Sequence, residues 1–191
     1  EINGALLAIS LSLTCVVSWG SGLAHRNENH YDDYSLKIGL KGAVPGALVG
    51  VGIVLLIGEE MDTVFKVLSL IMISWAIYKT AMKMRNDSTE KEDEGGENNL
   101  EVQAIPLQIG SGIGGILSSV LAVGAGVIYV PVLRSFAHLK PRKAIGTSLH
   151  VMIVVVPVSI LAHMLTLSSE MYSKLGQEVL LVLIFMALTL L

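Results

Sequence analysis

Long uncharged runs alternate with short charged stretches along most of this chain. The first run covers residues 2–24 without a charge, and a helix that crosses a membrane needs about 20 residues. Further runs cover approximately residues 36–57, 63–82 and 144–167, and a last one starts at Lys174. The run at 63–82 has the shortest uncharged centre. This pattern predicts an all-α, polytopic helical membrane protein embedded in a lipid bilayer.

Residues 102–133 form the longest uncharged run, and its length fits neither one straight crossing nor two complete ones. Gly124, Ala125 and Gly126 lie inside it, and Pro131 follows five residues later. Glycine permits backbone angles that other residues resist, and proline removes an amide donor. We therefore predict a helix that breaks inside the membrane, where the freed backbone groups must face protein or a water-filled cavity.

The positive charges bear on the path of this broken helix. It either crosses the membrane once or dips in and returns as a re-entrant hairpin. A hairpin would place all the basic clusters on one face and would make the two halves inverted, so the charge distribution mildly favours it. The clusters comprise Arg26, Lys79, Lys83, Arg85, Lys140, Arg142 and Lys143. We expect the face with the 86–103 loop to be cytoplasmic.

An internal repeat is predicted from short matches of the chain with itself. SGLAH at 21–25 resembles SILAH at 159–163, an offset of 138 residues (159 minus 21), and Ser10 falls on Ser148 at the same offset. Residues 1–85 would then form a first transmembrane half, 86–103 a polar, flexible loop, and 104–191 a second half. The beginning of the first half and the end of the second are expected to lie outside this sequence.

Glycines recur every fourth residue at Gly42, Gly46 and Gly50. This spacing puts them on one helix face and is typical of membrane helices that pack closely. We interpret them as packing residues. Packing also accounts for the glycines before the break, at Gly112, Gly114 and Gly115.

The composition agrees with a membrane protein and excludes several other classes. Of 191 residues, 52% are hydrophobic and only 15% are charged, whereas soluble domains have about 25% charged residues. No basic face is present, so no nucleic-acid partner is expected. Cys15 is the only cysteine, which excludes a disulfide framework. The sequence gives no indication of the oligomeric state.

The break itself is a candidate ligand site. At a helix N-terminus, backbone amides converge and contribute about half a positive charge. Gly124, Ala125 and Gly126 could therefore bind an anion without a buried cation, although packing alone explains the two glycines equally well. Tyr129 could donate its phenol to an anion, or lie at the membrane interface as aromatic residues often do.

A second group of candidates opens the run after the break. Gly146, Thr147 and Ser148 lie there, and their hydroxyls could bind a polar ligand or cap the helix N-terminus. Ser10 is the repeat counterpart of Ser148. These residues extend the predicted substrate site.

Three histidines are candidates for proton coupling, because imidazole titrates near neutral pH. His25 and His163 end their runs at equivalent places of the repeat, where an interfacial role is the common alternative. His150 lies inside a run and is the stronger case, since ionisable groups are costly there. No cluster has metal-ligand spacing and no nucleophile is paired with a base, so we predict no metal, no cofactor and no enzymatic activity.

One stretch combines several specific features. A glycine-studded helix precedes a glycine-rich break, and Pro-x-Leu at 131–133, a basic turn and Ala-x-Gly-Thr-Ser at 144–148 follow. In these features the chain resembles the sulfite exporter TauE/SafE family of membrane permeases. That family has three consecutive glycines at the break, where this chain has Ala125 between two. The resemblance implies movement of small anions such as sulfite or organosulfonates across a membrane.

The expected function is therefore transport of a small anionic substrate by a secondary carrier. Two halves would move about a site between the break and residues 146–148. The alternative is a membrane protein that transports nothing and binds a partner through the loop at residues 86–99. Replacing Gly126 by leucine would abolish transport in the first case and do little in the second.

Overall fold

Helices account for all the secondary structure in the computed structural model, which describes residues 2–28, 30–57, 61–86, 102–122 and 125–166. They are α1 (Ile2–Asn27), α2 (Asp33–Ile57), α3 (Met61–Asn86), α4 (Ala104–Leu121), α5 (Gly126–Phe136) and α6 (Pro141–Leu165). The predicted all-α fold is confirmed. The run expected from Lys174, and residues 87–101 of the expected loop, lie outside the described residues.

Helices α2, α4 and α6 are long and apolar enough to cross a membrane. Helix α5 has 11 residues, and α3 contains a shorter apolar stretch, Thr63–Trp75. These lengths confirm the membrane class and agree with the short centre noted for residues 63–82. Helix α1 has 26 residues, which corresponds to about 39 Å at the usual helical rise.

Helices α4 and α5 fold back on each other as an antiparallel pair. The Gln103 N–H donates a hydrogen bond to the Phe136 carbonyl at 2.9 Å, so the start of α4 lies beside the end of α5. Deeper in the pair, Gly114 lies against the ring of Tyr129. The chain therefore reverses at the break, while its re-entrant path through a bilayer stays a prediction.

The break falls where the glycines predicted it. Helix α4 ends at Leu121, and its C-cap Ala122 has a left-handed φ of 49°. Helix α5 begins at Gly126. A left-handed residue at this place ends the helix, because its backbone cannot continue the right-handed hydrogen-bond ladder.

Helices α2 and α4 run parallel and touch backbone to backbone. Their residues meet at a constant offset of 66 (108 minus 42): Gly42 with Gln108, Gly46 with Gly112, and Gly50 with Ile116. A Cβ atom at Gly46 would overlap the Gly112 carbonyl oxygen. The packing interpretation of these glycines is thereby confirmed.

Helices α1 and α6 run antiparallel. Gly22 of α1 lies against Leu149 and Ile153 of α6, while Gly146, closer to the start of α6, lies against His25. Inverted halves would pack in this way, and the repeat itself stays a prediction.

One end of the bundle collects positive charge, and we call it the basic end. The end of α1, the starts of α2, α4 and α6, and the end of α5 meet there. It exposes Arg26, Arg134, Lys140, Arg142 and Lys143. Arg26 and the basic turn at 140–143 share this end, whereas no side-chain position is described for Lys79, Lys83 and Arg85. The hairpin and the cytoplasmic assignment of this end both stay predictions.

Candidate functional site

The break between α4 and α5 lies between α1 and α6. Ser10 of α1 donates a hydrogen bond to the Ala122 carbonyl at 3.2 Å. On the other side, a Cβ atom at Gly126 would lie 3.8 Å from the Sδ atom of Met152 on α6. Met152 is one helical turn from Ser148, on the same side of α6. Of the predicted site residues, Ser10 and Gly126 thus lie at the break, and Ser148 lies one turn away on α6.

The start of α5 lies in the packed interior. Its N-cap Ala125 is only 3% exposed, and no side chain caps the helix. The Ala125 carbonyl accepts hydrogen bonds from the N–H groups of Ile128 and Tyr129, as the first turn of a helix requires. The positive end of the α5 dipole therefore faces the space between α1 and α6, while Val127 in the same turn is 45% exposed. Gly124 lies outside the described residues.

Thr147 and Ser148 do not cap their helix. Helix α6 starts at Pro141, with Lys140 as its N-cap, so both hydroxyls lie in its second turn and the predicted capping role is wrong. Proline at the first helical position has the φ that a helix needs, which explains the earlier start. Ser148 instead donates to the Ile145 carbonyl at 2.7 Å.

Gly146 and Thr147 hold the connection between α1 and α2. The Thr147 hydroxyl accepts a hydrogen bond from the Asp32 N–H at 2.9 Å. Gly146 is pressed against the His30 carbonyl, where a side chain would have no room. These two residues lie towards the basic end, away from the break.

Two of the three histidines lie near the basic end. The His150 Nδ1 atom is 2.8 Å from the Gly146 carbonyl oxygen, and its ring stacks on Tyr31 with centroids 4.5 Å apart. The His25 ring lies 5.9 Å from that of His30. Both histidines therefore line the contact between α1, α6 and the connection from α1 to α2.

His163 lies closer to the break. It is fully buried, and its Nε2 atom is 3.2 Å from the Ser119 carbonyl oxygen. The Ser119 hydroxyl in turn lies 2.7 Å from the Ser159 hydroxyl. This group links the last turn of α4 to α6.

Two buried hydroxyls beside the break have no partner among the described residues. They belong to Ser118 and Tyr129, each 1% exposed. The interfacial alternative for Tyr129 is wrong, since its ring is inside the bundle against Gly114. Ser118 was not among the predicted site residues. Its position four residues before the break is the only feature of the sequence that could have identified Ser118 as a site residue.

The buried polar side chains of the described residues carry no carboxylate, ammonium or guanidinium group. They are Ser18, Ser35, Ser111, Ser118, Ser119, Thr147, Ser148, Ser159 and His163. Within the same residues, no group of three or more His, Cys, Asp or Glu side chains is placed to hold a metal ion. The described interior of the bundle therefore offers hydroxyl groups, backbone groups and the imidazole of His163.

Comparison with known proteins places the chain in a family. No curated protein and no solved structure matches it. The family model described as Sulfite exporter TauE/SafE matches residues 4–191, nearly the whole chain. The broken helix between residues 121 and 126 and the α6 motif at 144–148 both lie within that match. The chain belongs to the sulfite exporter TauE/SafE family, a family of membrane transporters.

Proposed function

We propose that this protein is a secondary carrier that moves a small sulfur-containing oxyanion, such as sulfite or an organosulfonate, across a membrane. Its family supports a transporter rather than an enzyme. The observation that carries the proposal is the buried, uncapped start of α5 at the helix break. Broken helices at membrane depth form the substrate sites of many carriers, with helix N-termini directed at anionic groups.

The proposed site uses backbone amides and hydroxyls. The amides at Gly124, Ala125 and Gly126 bind the anion, because the α5 dipole favours negative charge there. Ser10 contacts the break from α1, and Ser148 lies on α6 one turn before Met152, the residue that Gly126 faces. Gly146 and Thr147 take a supporting role, since they hold the connection from α1 to α2 against α6.

Access to the site requires one group of helices to move past another. Helices α2 and α4 touch through their backbones, so we propose that they move as one unit. The contact between α5 and α6 is looser, with Gly126 facing the flexible side chain of Met152. Opening this contact would expose the break to one side of the membrane.

Proton coupling is proposed for the histidines His25, His150 and His163. All three lie on α1 or α6, the helices that border the break. Replacing each in turn with glutamine should abolish uptake driven by a proton gradient and leave sulfite counterflow, which needs no gradient, intact. Normal gradient-driven uptake in all three variants would exclude this role.

The direct test is uptake of radiolabelled sulfite into liposomes that contain the purified protein. Sulfate, taurine and chloride serve as competitors. Saturable uptake that one competitor blocks supports a carrier and ranks its anions. No movement of any anion by correctly folded protein would reject the proposal and favour the partner-binding alternative.

The site assignment is tested with Gly126→Leu. The leucine would fill the space in front of Met152, so transport should be lost while the protein still inserts. Gly52→Leu is the matched control, because no atom lies within 4 Å of a Cβ atom at Gly52. Normal transport by Gly126→Leu would show that the substrate binds elsewhere.

A further inference from the structure

Three hydroxyls are buried and unpaired among the described residues: that of Ser35 at the start of α2, and those of Ser118 and Tyr129, which belong to the α4–α5 pair. A buried polar group without a hydrogen-bond partner destabilises a protein, and most such groups find one. Apolar substitutes of the same shape, alanine and phenylalanine, would avoid this cost. Two unpaired hydroxyls on the same pair of helices therefore indicate that a ligand binds there and accepts their hydrogen bonds.

Both hydroxyls flank the break. Ser118 is four residues before Ala122 on α4, and Tyr129 is four residues after Ala125 on α5. The Tyr129 ring lies on Gly114, whose Cβ position is 2.6 Å from the ring Cε1 atom.

Gly114 and Ser118 are one turn apart on the same side of α4. Ser118 is also two turns from Ser111, which lies against Gly39 of α2, so the Ser118 hydroxyl lies between the α2 and α5 sides of α4. Tyr129 lies in the first part of α5, next to the helix N-terminus.

We infer that the Ser118 and Tyr129 hydroxyls donate hydrogen bonds to the oxygens of the transported anion, and that this uncharged donor set selects singly charged oxyanions over doubly charged ones. The inference rests on the proposed transport function. To the proposed function it adds two residues that contact the substrate and the charge of the substrate.

The charge selection follows from what surrounds the break. Among the residues whose burial the structure describes, no lysine, arginine, aspartate or glutamate is buried. The Born cost of moving an ion out of water grows with the square of its charge, and in this interior no cation offsets it. Hydroxyl and amide donors can replace the hydration of a monoanion far more completely than that of a dianion. For sulfite, the species bound would be hydrogensulfite, its singly protonated form.

The first test uses anions whose charge does not change with pH. Methanesulfonate and sulfate have similar tetrahedral shapes, but one is always a monoanion and the other a dianion. Both compete with labelled sulfite for uptake into liposomes, at one pH close to neutral, where part of the sulfite is hydrogensulfite and both competitors keep their charge. Methanesulfonate should inhibit at a concentration on the order of a hundredfold lower than sulfate. Equal inhibition by the two anions would overturn the charge selection.

The second test removes each hydroxyl while keeping the packing, with Tyr129→Phe and Ser118→Ala. The KM for sulfite should rise about tenfold to a hundredfold, because each hydroxyl donates to a charged group. The unfolding temperature without anion should stay the same or rise, since an unpaired buried group is lost. Tyr78→Phe and Ser74→Ala, which change exposed hydroxyls on α3, are the matched controls.

The outcomes separate this inference from the transport proposal. A raised KM with unchanged stability supports the two contacts. An unchanged KM in both variants, from protein whose wild type takes up sulfite, overturns the contacts and leaves the transport function standing. A lower unfolding temperature with an unchanged KM would assign the hydroxyls to the fold. A wild-type protein that moves no anion would reject both proposals.

Discussion

The two sides of α4 use the same small residues for different purposes. Towards α2, Ser111 and Gly115 let two backbones touch, and a Cβ atom at Gly115 would overlap the Ala43 carbonyl oxygen. Towards α5, Gly114 makes room for the aromatic ring of Tyr129, whose buried hydroxyl has no partner among the described residues. The residues that face α2 pack backbone against backbone, whereas the side that faces α5 leaves a buried hydroxyl unpaired.

This difference indicates where the molecule is built for stability and where it is built for a ligand. Membrane helices gain little from apolar burial, so close packing of small residues holds α2 and α4 together. An unpaired buried polar group costs about 1–3 kcal/mol. Proteins keep such local costs mainly where a function uses the group. The comparison predicts that substitutions facing α2 impair folding, whereas those facing α5 affect transport first.

The largest effect is expected for Gly46→Ala. Its Cβ atom would overlap the Gly112 carbonyl oxygen, and because both partners are backbone, the helices must separate. The free energy of unfolding, measured by denaturant titration in detergent, should fall by about 3 kcal/mol or more.

Gly52→Ala is the control for this substitution, because it lies on the same helix with open space around its Cβ position. It should be neutral or should stabilise by up to about 1 kcal/mol through helix propensity. Similar losses in both variants would mean that α2 and α4 do not touch as described.

A smaller loss is expected for Gly114→Ala, on the other side of α4. Its Cβ atom would lie 2.6 Å from the Tyr129 Cε1 atom, and a ring can shift where a backbone cannot. The free energy of unfolding should fall by about 2 kcal/mol. Adding Tyr129→Leu should recover part of that loss, and a double-mutant cycle measures the coupling. Additive effects of the two changes would contradict the contact.

The sequence was sufficient for the elements and for the break. The helices were predicted from charge-free runs of membrane length, and the break from the glycines at 124 and 126. Both signals come from neighbouring residues, so they can be read from a single sequence. The four-residue spacing of Gly42, Gly46 and Gly50 likewise identified a packing face, because it follows from helix geometry alone.

The pairing of polar groups could not be predicted in the same way. Thr147 was expected to cap α6 or bind a ligand, but it accepts a bond from Asp32, 115 residues away in the chain. Tyr129 was compatible with an interface, and only the fold-back of α5 on α4 buries it. Such contacts depend on tertiary packing between distant segments. The spacing of neighbouring residues in the sequence therefore cannot predict them.

A third prediction compares His163 with its repeat counterpart His25. The His163 ring is fully buried and bonded to the Ser119 carbonyl, whereas the His25 ring is partly exposed. His163→Phe replaces the imidazole with another aromatic ring and removes the hydrogen bond, so the free energy of unfolding should fall by about 1.5 kcal/mol. His25→Phe should change it by less than about 0.5 kcal/mol. Equal effects would show that the two positions have equivalent surroundings.

The smallest effect is expected for the serines that precede these histidines by four residues. The Ser159 hydroxyl lies 2.7 Å from that of Ser119 and joins α6 to α4, whereas Ser21 is exposed. Hydrogen bonds between membrane helices contribute about 0.6 kcal/mol on average. Ser159→Ala should therefore lower the free energy of unfolding by about that amount, and Ser21→Ala should leave it unchanged. A loss in Ser21→Ala as large as in Ser159→Ala would mean that the exposed face of α1 is packed against another segment in the membrane, as inverted halves would require.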